Sequence, residues 1–341
     1  MAASLGLLGV GAFGCAPAER DRPRFGRLDV KTLAAGLPAL AAEVRPALFN
    51  LGVASLGTST RWFVDEAGPY PLANLAKLPI AAAALAVVDS GRLRLGSRLT
   101  IGPEDLSPPP SRINDHLLGS PGAGSLSLPL ADLIALALQQ DDSTAADVIL
   151  RQIGGPAAVT AWLKAKGIEG LRIDRSDRER LCDLFDLGAF QSQWARARDW
   201  EAARELRTPA LREAALDFAL SDLRDTTSAA AAVSFLAALA SGALVSPASA
   251  AFLLDLMTSQ GPDEGLAQGL PQGVTMARKA GAAPTTLGMT MTDNELAVIS
   301  FPGGPRLAVA VFLTGATAAA PARAKIFRRT GQLIAKAVNS A

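Results

Sequence analysis

Asn74-Leu75-Ala76-Lys77-Leu78-Pro79-Ile80, running on into Ala81-Ala82-Ala83-Ala84-Leu85, is the stretch whose reading decides the fold. From Leu75 to Val88 it is apolar almost all round, and it stops at Asp89-Ser90-Gly91, so it predicts a buried helix at the centre of a large lobe. At the head of that helix a lysine follows an asparagine by three residues. A serine at position 74 could pass its proton to the amine and attack a carbonyl. A carboxamide cannot, because its nitrogen lone pair is delocalised into its own C=O. The segment frames a nucleophile and lacks the nucleophilic atom.

Working outward, Val30 to Val44 carries apolar residues at helical spacing, while Leu48 to Leu56 and Arg61 to Asp65 flank Gly57-Thr58-Ser59-Thr60 as a hairpin. Leu130 to Gln139 and Ser143 to Ile153 are helical patterns on either side of the polar corner Gln140-Asp141-Asp142, and Ala157 to Lys166 is a third. Ala229 to Leu239 and Pro247 to Thr258 add two more, with Ser246 as N-cap of the second. The period then changes: Val274 to Ala280, Thr290 to Phe301 and Arg306 to Thr314 are strand-like, and Arg323 to Val338 is helical. Strands early and late around central helices imply an α/β chain of the α+β sandwich kind: a mostly antiparallel sheet built from both chain ends, plus an all-helical lobe over about 70–260. The cleft is expected between sheet and lobe.

Composition narrows the function. With 341 residues, 49% of them apolar, the chain can bury a large core. Its 33 basic and 32 acidic residues give no broad positive field for nucleic acid. Two cysteines, Cys15 and Cys182, exclude a cysteine-rich metal site, and no cofactor motif is present. The single histidine, His116, follows Pro108-Pro109-Pro110 and reads as a hydrogen-bonded fold residue rather than a catalytic base. Leu5 to Cys15 is too short to span a bilayer and reads as a signal segment over 1–15, with Gly14-Cys15 similar to a bacterial lipobox. A tether over 16–29 and one domain over 30–341 follow. The expected location is periplasmic or extracellular, with a membrane tether through a lipidated Cys15, and the expected state is a monomer.

The order of motifs resembles the class A β-lactamase and penicillin-binding serine hydrolase family. The resemblance rests on Leu78-Pro79-Ile80-Ala81-Ala82-Ala83-Ala84-Leu85 after the lysine, on Ser143-Thr144-Ala145-Ala146-Asp147 with Gly154-Gly155-Pro156-Ala157-Ala158-Val159-Thr160-Ala161, on Arg224-Asp225-Thr226-Thr227, and on Leu244-Val245-Ser246-Pro247-Ala248-Ser249. It runs from about Val30 to the C-terminus and implies a β-lactamase/transpeptidase-like fold.

The same resemblance shows every chemical motif altered. Asn74 stands at the nucleophile position, and Lys77 is kept. The family's S-D-N triplet reads Asp141-Asp142-Ser143, and its K-T-G triplet reads Lys279-Ala280-Gly281, which keeps the cation and loses the hydroxyl offered to a substrate carboxylate. The loop glutamate that activates deacylating water falls near Asp177, shorter by a methylene and so of shorter reach. Arg175 and Asp225 resemble the ion pair that closes this loop, but the insert 176–224 lies between them. Its Phe190, Trp194, Trp200 and Leu206 among many arginines predict an amphipathic helical flap.

The resemblance therefore implies a β-lactamase-family protein impaired in acyl-enzyme chemistry, binding a β-lactam or peptidoglycan-like small molecule noncovalently through Lys77 and Lys279. Three alternatives stand beside it: a relocated nucleophile and base, Ser143 with Lys77; Asp141 and Asp177 as acid and base on a glycan; and a structural envelope protein whose cleft the insert fills. Asp141 is expected to pair with Lys77 or Lys279, and Asp142 to cap the following helix.

Overall fold

The computed structural model describes residues 25–120, 122, 124–259 and 264–339; the expected signal segment, Cys15 and the tether as far as residue 24 lie outside the described residues. Phe25 to Asp29, expected as the end of the tether, are packed instead. Phe25 forms a bridge with Asn339 and sets its ring 4.9 Å from that of Phe301, while Asp29 N–H donates to Ala337 O at 2.8 Å. The apolar ring and the unspent backbone donors together draw the folded unit back to Phe25.

In chain order, α1 (Val30–Glu43) leads to the hairpin β1 (Leu48–Leu56) and β2 (Arg61–Phe63), then the short β3 (Tyr70–Pro71) and α2 (Lys77–Asp89). The lobe continues through β4 (Arg98–Ile101), α3 (Arg112–Gly119), β5 (Leu126–Pro129), α4 (Leu130–Gln139), α5 (Ser143–Gln152) and α6 (Pro156–Ala165). The insert supplies α7 (Asp177–Leu184), α8 (Ala197–Glu205) and α9 (Pro209–Ser221), followed by β6 (Thr226–Thr227), α10 (Ala229–Ala240) and α11 (Pro247–Thr258). Strands β7 (Thr275–Ala282), β8 (Thr285–Thr286), β9 (Met289–Ser300) and β10 (Arg306–Ala316) precede α12 (Ala320–Val338).

The main sheet runs β2-β1-β10-β9-β7, with β8 on β9, and every pairing is antiparallel. Strands from both chain ends therefore meet, as their positions in the sequence predict. The register sets Val53 opposite Val309 and Val309 opposite Ala297. Period-two alternation then serves two cores, because the sheet is covered on both faces. Leu307, Val309, Val311 and Leu313 join Leu51, Val53 and Ile299 under α1 and α12, whereas Ala308, Ala310 and Phe312 face the helical lobe with Leu296 and Val298.

Residues 77–85 of α2 are all buried, and α4, α5, α6 and α11 pack around it. Four consecutive alanines let those neighbours approach without steric conflict, which is why this helix occupies the centre. Ser246 caps α11 by accepting from Ser249 N–H, as its position predicts. Two features went unforeseen. The ribbon β4–β5 and helix α3 occupy what reads in sequence as a proline-rich connection, with Ser111 capping α3. His116 lies exposed on α3.

The insert folds as three helices closed at its base by Arg175 Nε and Asp225 Oδ2, 2.6 Å apart. Leu181, Leu184, Phe185, Trp194, Trp200 and Leu216 form a separate core that also takes in Ala73, Ala283 and Met291. The predicted aromatic face is thus buried against the edge of the cleft. Leu206 departs from the pattern: it sits between α8 and α9 and is 85% exposed.

Candidate functional site

The site begins in a 3-10 turn over Ala73–Ala76, entered through Ala73 at φ 46°, a left-handed value that a non-glycine residue holds only under constraint from its surroundings. In a 3-10 turn residues three apart eclipse one another, so Asn74 lies over Lys77 at the head of α2. Lys77 Nζ donates to Asn74 Oδ1 at 2.8 Å. It also lies 2.5 Å from Asp177 Oδ2, off the line of a directed hydrogen bond, so that contact is an ion pair. The lysine side chain is fully buried and that of Asp177 is 4% exposed.

Asp177 reaches Lys77 although it is a methylene shorter than glutamate, because the backbone carries it there. It opens α7, whose first turn is tied to the lobe: Asp177 and Arg178 N–H groups donate to Asp147 Oδ1 and Oδ2 at 2.7 and 3.0 Å, and Ser107 Oγ donates to Asp147 at 2.6 Å. Arg180, one turn along α7, binds Asp177 Oδ1 at 2.5 Å. Burial would raise the Asp177 carboxyl, but Lys77 and Arg180 outweigh it and hold the group well below the usual carboxylate range. Burial, reinforced by the charge on Asp177, pushes Asp147 the other way, up to about 6. Asp177 is therefore the anion of this cluster and a poor proton donor.

A second ion pair closes the opposite side. Asp141, at φ 52°, accepts from Lys279 Nζ at 2.5 Å, and the same ammonium donates to Ala280 O at 2.7 Å. Of the two partners expected for Asp141, Lys279 is the one used. Burial lowers the Lys279 pKa against the opposing pull of Asp141. Asp142 caps α5 as expected, accepting from Ala145 N–H at 2.9 Å and also from Ser111 Oγ at 2.8 Å. Ser143 is buried, with its backbone N–H on Pro110 O at 3.1 Å, and among the described residues no hydrogen bond joins it to Lys77. The two aspartates are engaged by different lysines, Asp177 by Lys77 and Asp141 by Lys279.

Strand β7 lies flush against the turn. A Cβ on Gly281 would fall 2.6 Å from Leu75 N and 3.1 Å from Asn74 C, so only glycine lets the strand approach this closely. Asn74 Nδ2 reaches toward Ala282 O at 3.5 Å, which places the carboxamide between turn and strand. Lys77, Asp177 and Asn74 thus gather at the turn, while Asp141, Lys279 and Ala280 line a pocket with Gln140 and Arg278. Asp147 and Arg180 escaped the sequence reading. Their spacing offered a signal, since Asp147 stands one helical turn beyond Ser143 and Arg180 three residues beyond Asp177.

The pattern of the Beta-lactamase enzyme family matches residues 34–338. The chain belongs to the β-lactamase family. A β-lactamase of Rhodobacter capsulatus is 25% identical over 290 residues, covering 85% of this chain and 83% of that protein. Beta-lactamase Toho-2 of Escherichia coli is 33% identical over 140 residues, 40% of this chain and 46% of its own length. Among solved structures, an ancestral class A β-lactamase superposes with a TM-score of 0.70 at 29% identity, covering 89% of this chain and 99% of that one. A β-lactamase from Chitinophaga pinensis shares the fold at TM-score 0.72 and 22% identity, covering 90% and 99%. The β-lactamase-like sandwich expected from the sequence is the fold observed.

Acyl transfer needs a nucleophile and a base within hydrogen-bond reach. Here Asn74 Oδ1 accepts from Lys77, and Lys77 faces the Asp177 carboxylate.

Proposed function

We propose that this β-lactamase-family protein is impaired in acyl-enzyme β-lactam hydrolysis and holds a β-lactam or peptidoglycan-like ligand noncovalently in the cleft between Lys77 and Lys279. One observation carries the reading: Lys77 Nζ donates a hydrogen bond to Asn74 Oδ1, so the group that would deprotonate a nucleophile is a hydrogen-bond donor to the residue standing in the nucleophile's place. Support for binding comes from the Lys279 ion pair. Lys279 is buried, while its partner Asp141 keeps 35% of its side chain exposed. A ligand carboxylate that replaces Asp141 would leave the buried ammonium paired, and so avoid the large penalty of an isolated buried charge. The named relatives are β-lactamases, which supports a ligand of that chemical class.

A second reading, a structural envelope protein with an occupied cleft, draws support from the insert core, which reaches Ala73, Ala283 and Met291 beside the turn. The proposal further places the protein in the periplasm or outside the cell, tethered through Cys15, as a monomer. Titration calorimetry with benzylpenicillin and with a purified muropeptide tests the binding. Saturable heat that disappears on dialysis supports the noncovalent role. Silence with both ligands, together with an insert that resists protease, favours the occupied cleft.

A further inference from the structure

We propose that the groove between the β1–β2 hairpin, α10 and the β9–β10 turn seats an anionic phospholipid headgroup through Arg61 and Arg306. The placement at a bilayer rests on the tether through Cys15 proposed above. The groove holds about 740 Å³, within the range of small-molecule sites. Phe63, Val233 and Ala237 give it an apolar floor, and among the described residues no carboxylate lines it.

Register puts the two arginines on one face. Arg61 stands opposite Ala54 and Arg306 opposite Leu56, on the two strands that flank β1, and Ala54 and Leu56 share a face because they are two residues apart. Two strand spacings and one two-residue step set the arginine Cβ atoms roughly 12 Å apart, so extended guanidinium arms reach one phosphate between them. Both are exposed and, among the described residues, neither is in an ion pair, unlike Arg323 and Arg329, which hold Asp293 and Glu43. The last carbonyls of α10, which border the groove, accept from its own closing turn: Ala237 O from Ser241 N–H at 3.0 Å and Ala238 O from Ala243 N–H at 2.9 Å. The positive charge of the groove is thus unspent.

The entry of the chain argues for a bilayer as the source of the phosphate. Gly304 lines the groove, and a Cβ built on it would fall 2.5 Å from Phe25 Cβ, so Phe25 packs on the turn that leads into Arg306. The nine residues between Cys15 and Phe25 span at most roughly 35 Å. A lipidated Cys15 would therefore hold this end of the sheet near the membrane surface. Arg27, exposed and in no ion pair among the described residues, adds a third cation close to Phe25, while Asp29 is engaged by Lys31 N–H and Thr32 Oγ1 of α1. Each such cation at an anionic surface is worth about fivefold in partitioning.

The test is sedimentation with sucrose-loaded vesicles, using the full-length chain with Cys15→Ser so that no lipid anchor contributes. Vesicles containing phosphatidylglycerol should take up the protein, vesicles of phosphatidylcholine alone should not, and high salt should release it. Arg61→Gln with Arg306→Gln should lower partitioning by roughly twentyfold, whereas Arg92→Gln with Lys166→Gln, an equal loss of charge beyond α2 and α6, should change it by less than about twofold. Equal losses from the two pairs overturn the proposal, since net charge rather than the groove would then bind. Equal uptake by neutral vesicles overturns it too, as does calorimetric binding of inorganic phosphate through the two arginines without vesicle uptake, which marks a soluble phosphate ligand. Wild-type chain that fractionates away from membranes refutes the tether alone, and the vesicle arms still decide the groove.

Discussion

Replacing Asp177 by asparagine removes the one anion that Lys77 and Arg180 share. Both cationic partners are inside: the Lys77 side chain is 0% exposed and that of Arg180 9%. An asparagine of the same shape keeps an oxygen for one of them and turns an N–H₂ toward the other, so at least one buried cation is left facing a donor. Breaking a buried pair by deleting one partner typically costs about 3–5 kcal/mol, and relief of the repulsion on Asp147 offsets part of this, so about 3 kcal/mol is expected. With an unfolding entropy of about 2.1 cal/mol/K per residue, a chain of this length should lose roughly 4 °C in Tm. Urea unfolding followed by circular dichroism measures the loss directly. In a double-mutant cycle with Arg180→Met, the double variant should be closer to either single variant than to their sum, by about 2 kcal/mol. Additive losses, or a loss under about 1 kcal/mol for Asp177→Asn, would refute the idea of one coupled buried cluster.

Further outcomes can be checked independently. Asn74→Ser alone should leave nitrocefin hydrolysis about a hundredfold or more below an active family member, because Asp141, Ser143 and Ala280 are also altered and Lys77 remains tied to Asp177; steady-state rates decide this. Asp141→Ala should strengthen binding of a carboxylate-bearing β-lactam by about tenfold in calorimetry, since the ligand no longer competes with an internal carboxylate for Lys279. Gly281→Ala should cost about 1–3 kcal/mol in urea unfolding, because its Cβ meets backbone at 2.6 Å rather than a yielding side-chain tip. Glu295 gives a pH signature. Burial pushes its carboxyl from 4.5 up to about 7 against the pull of Arg278. The folded state therefore binds more protons than the unfolded state between those values, and the stability contributed by Glu295 is present below 4.5 and lost as pH rises through about 7. Glu295→Gln should accordingly gain on wild type as pH is raised from about 4 to 8, read as Tm differences across buffers.

The fold was largely legible because its signals are local and strong. The unbroken apolar runs Leu296 to Ile299 in β9 and Leu307 to Leu313 in β10 match a sheet buried on both faces, and the all-round apolar run of α2 matches a central helix. Ser246 and Asp142 announced helix starts and both cap as expected. What escaped has a physical reason. The ribbon β4–β5 pairs Leu99 with Leu128 across an intervening helix, and such non-local pairing leaves little trace in a four-residue strand. At the site, residue types at positions 74, 77, 141, 177 and 279 were readable, but their pairing was not. Whether Asp141 takes Lys77 or Lys279 depends on the left-handed backbone at Asp141, and the reach of Asp177 depends on Asp147 holding α7 in place. Leu206 shows the limit of helical periodicity, since the chain turns there and carries the leucine out to solvent.

Position 74 carries a carboxamide, which offers no nucleophile to acylate. The most direct measurement is the mass of purified protein quenched after incubation with excess benzylpenicillin, followed by peptide mapping. No penicilloyl adduct is predicted on residues 74–77, Ser143 or elsewhere in the cleft. A stoichiometric adduct on any of them, or sustained turnover of the drug by the same preparation, would contradict the account.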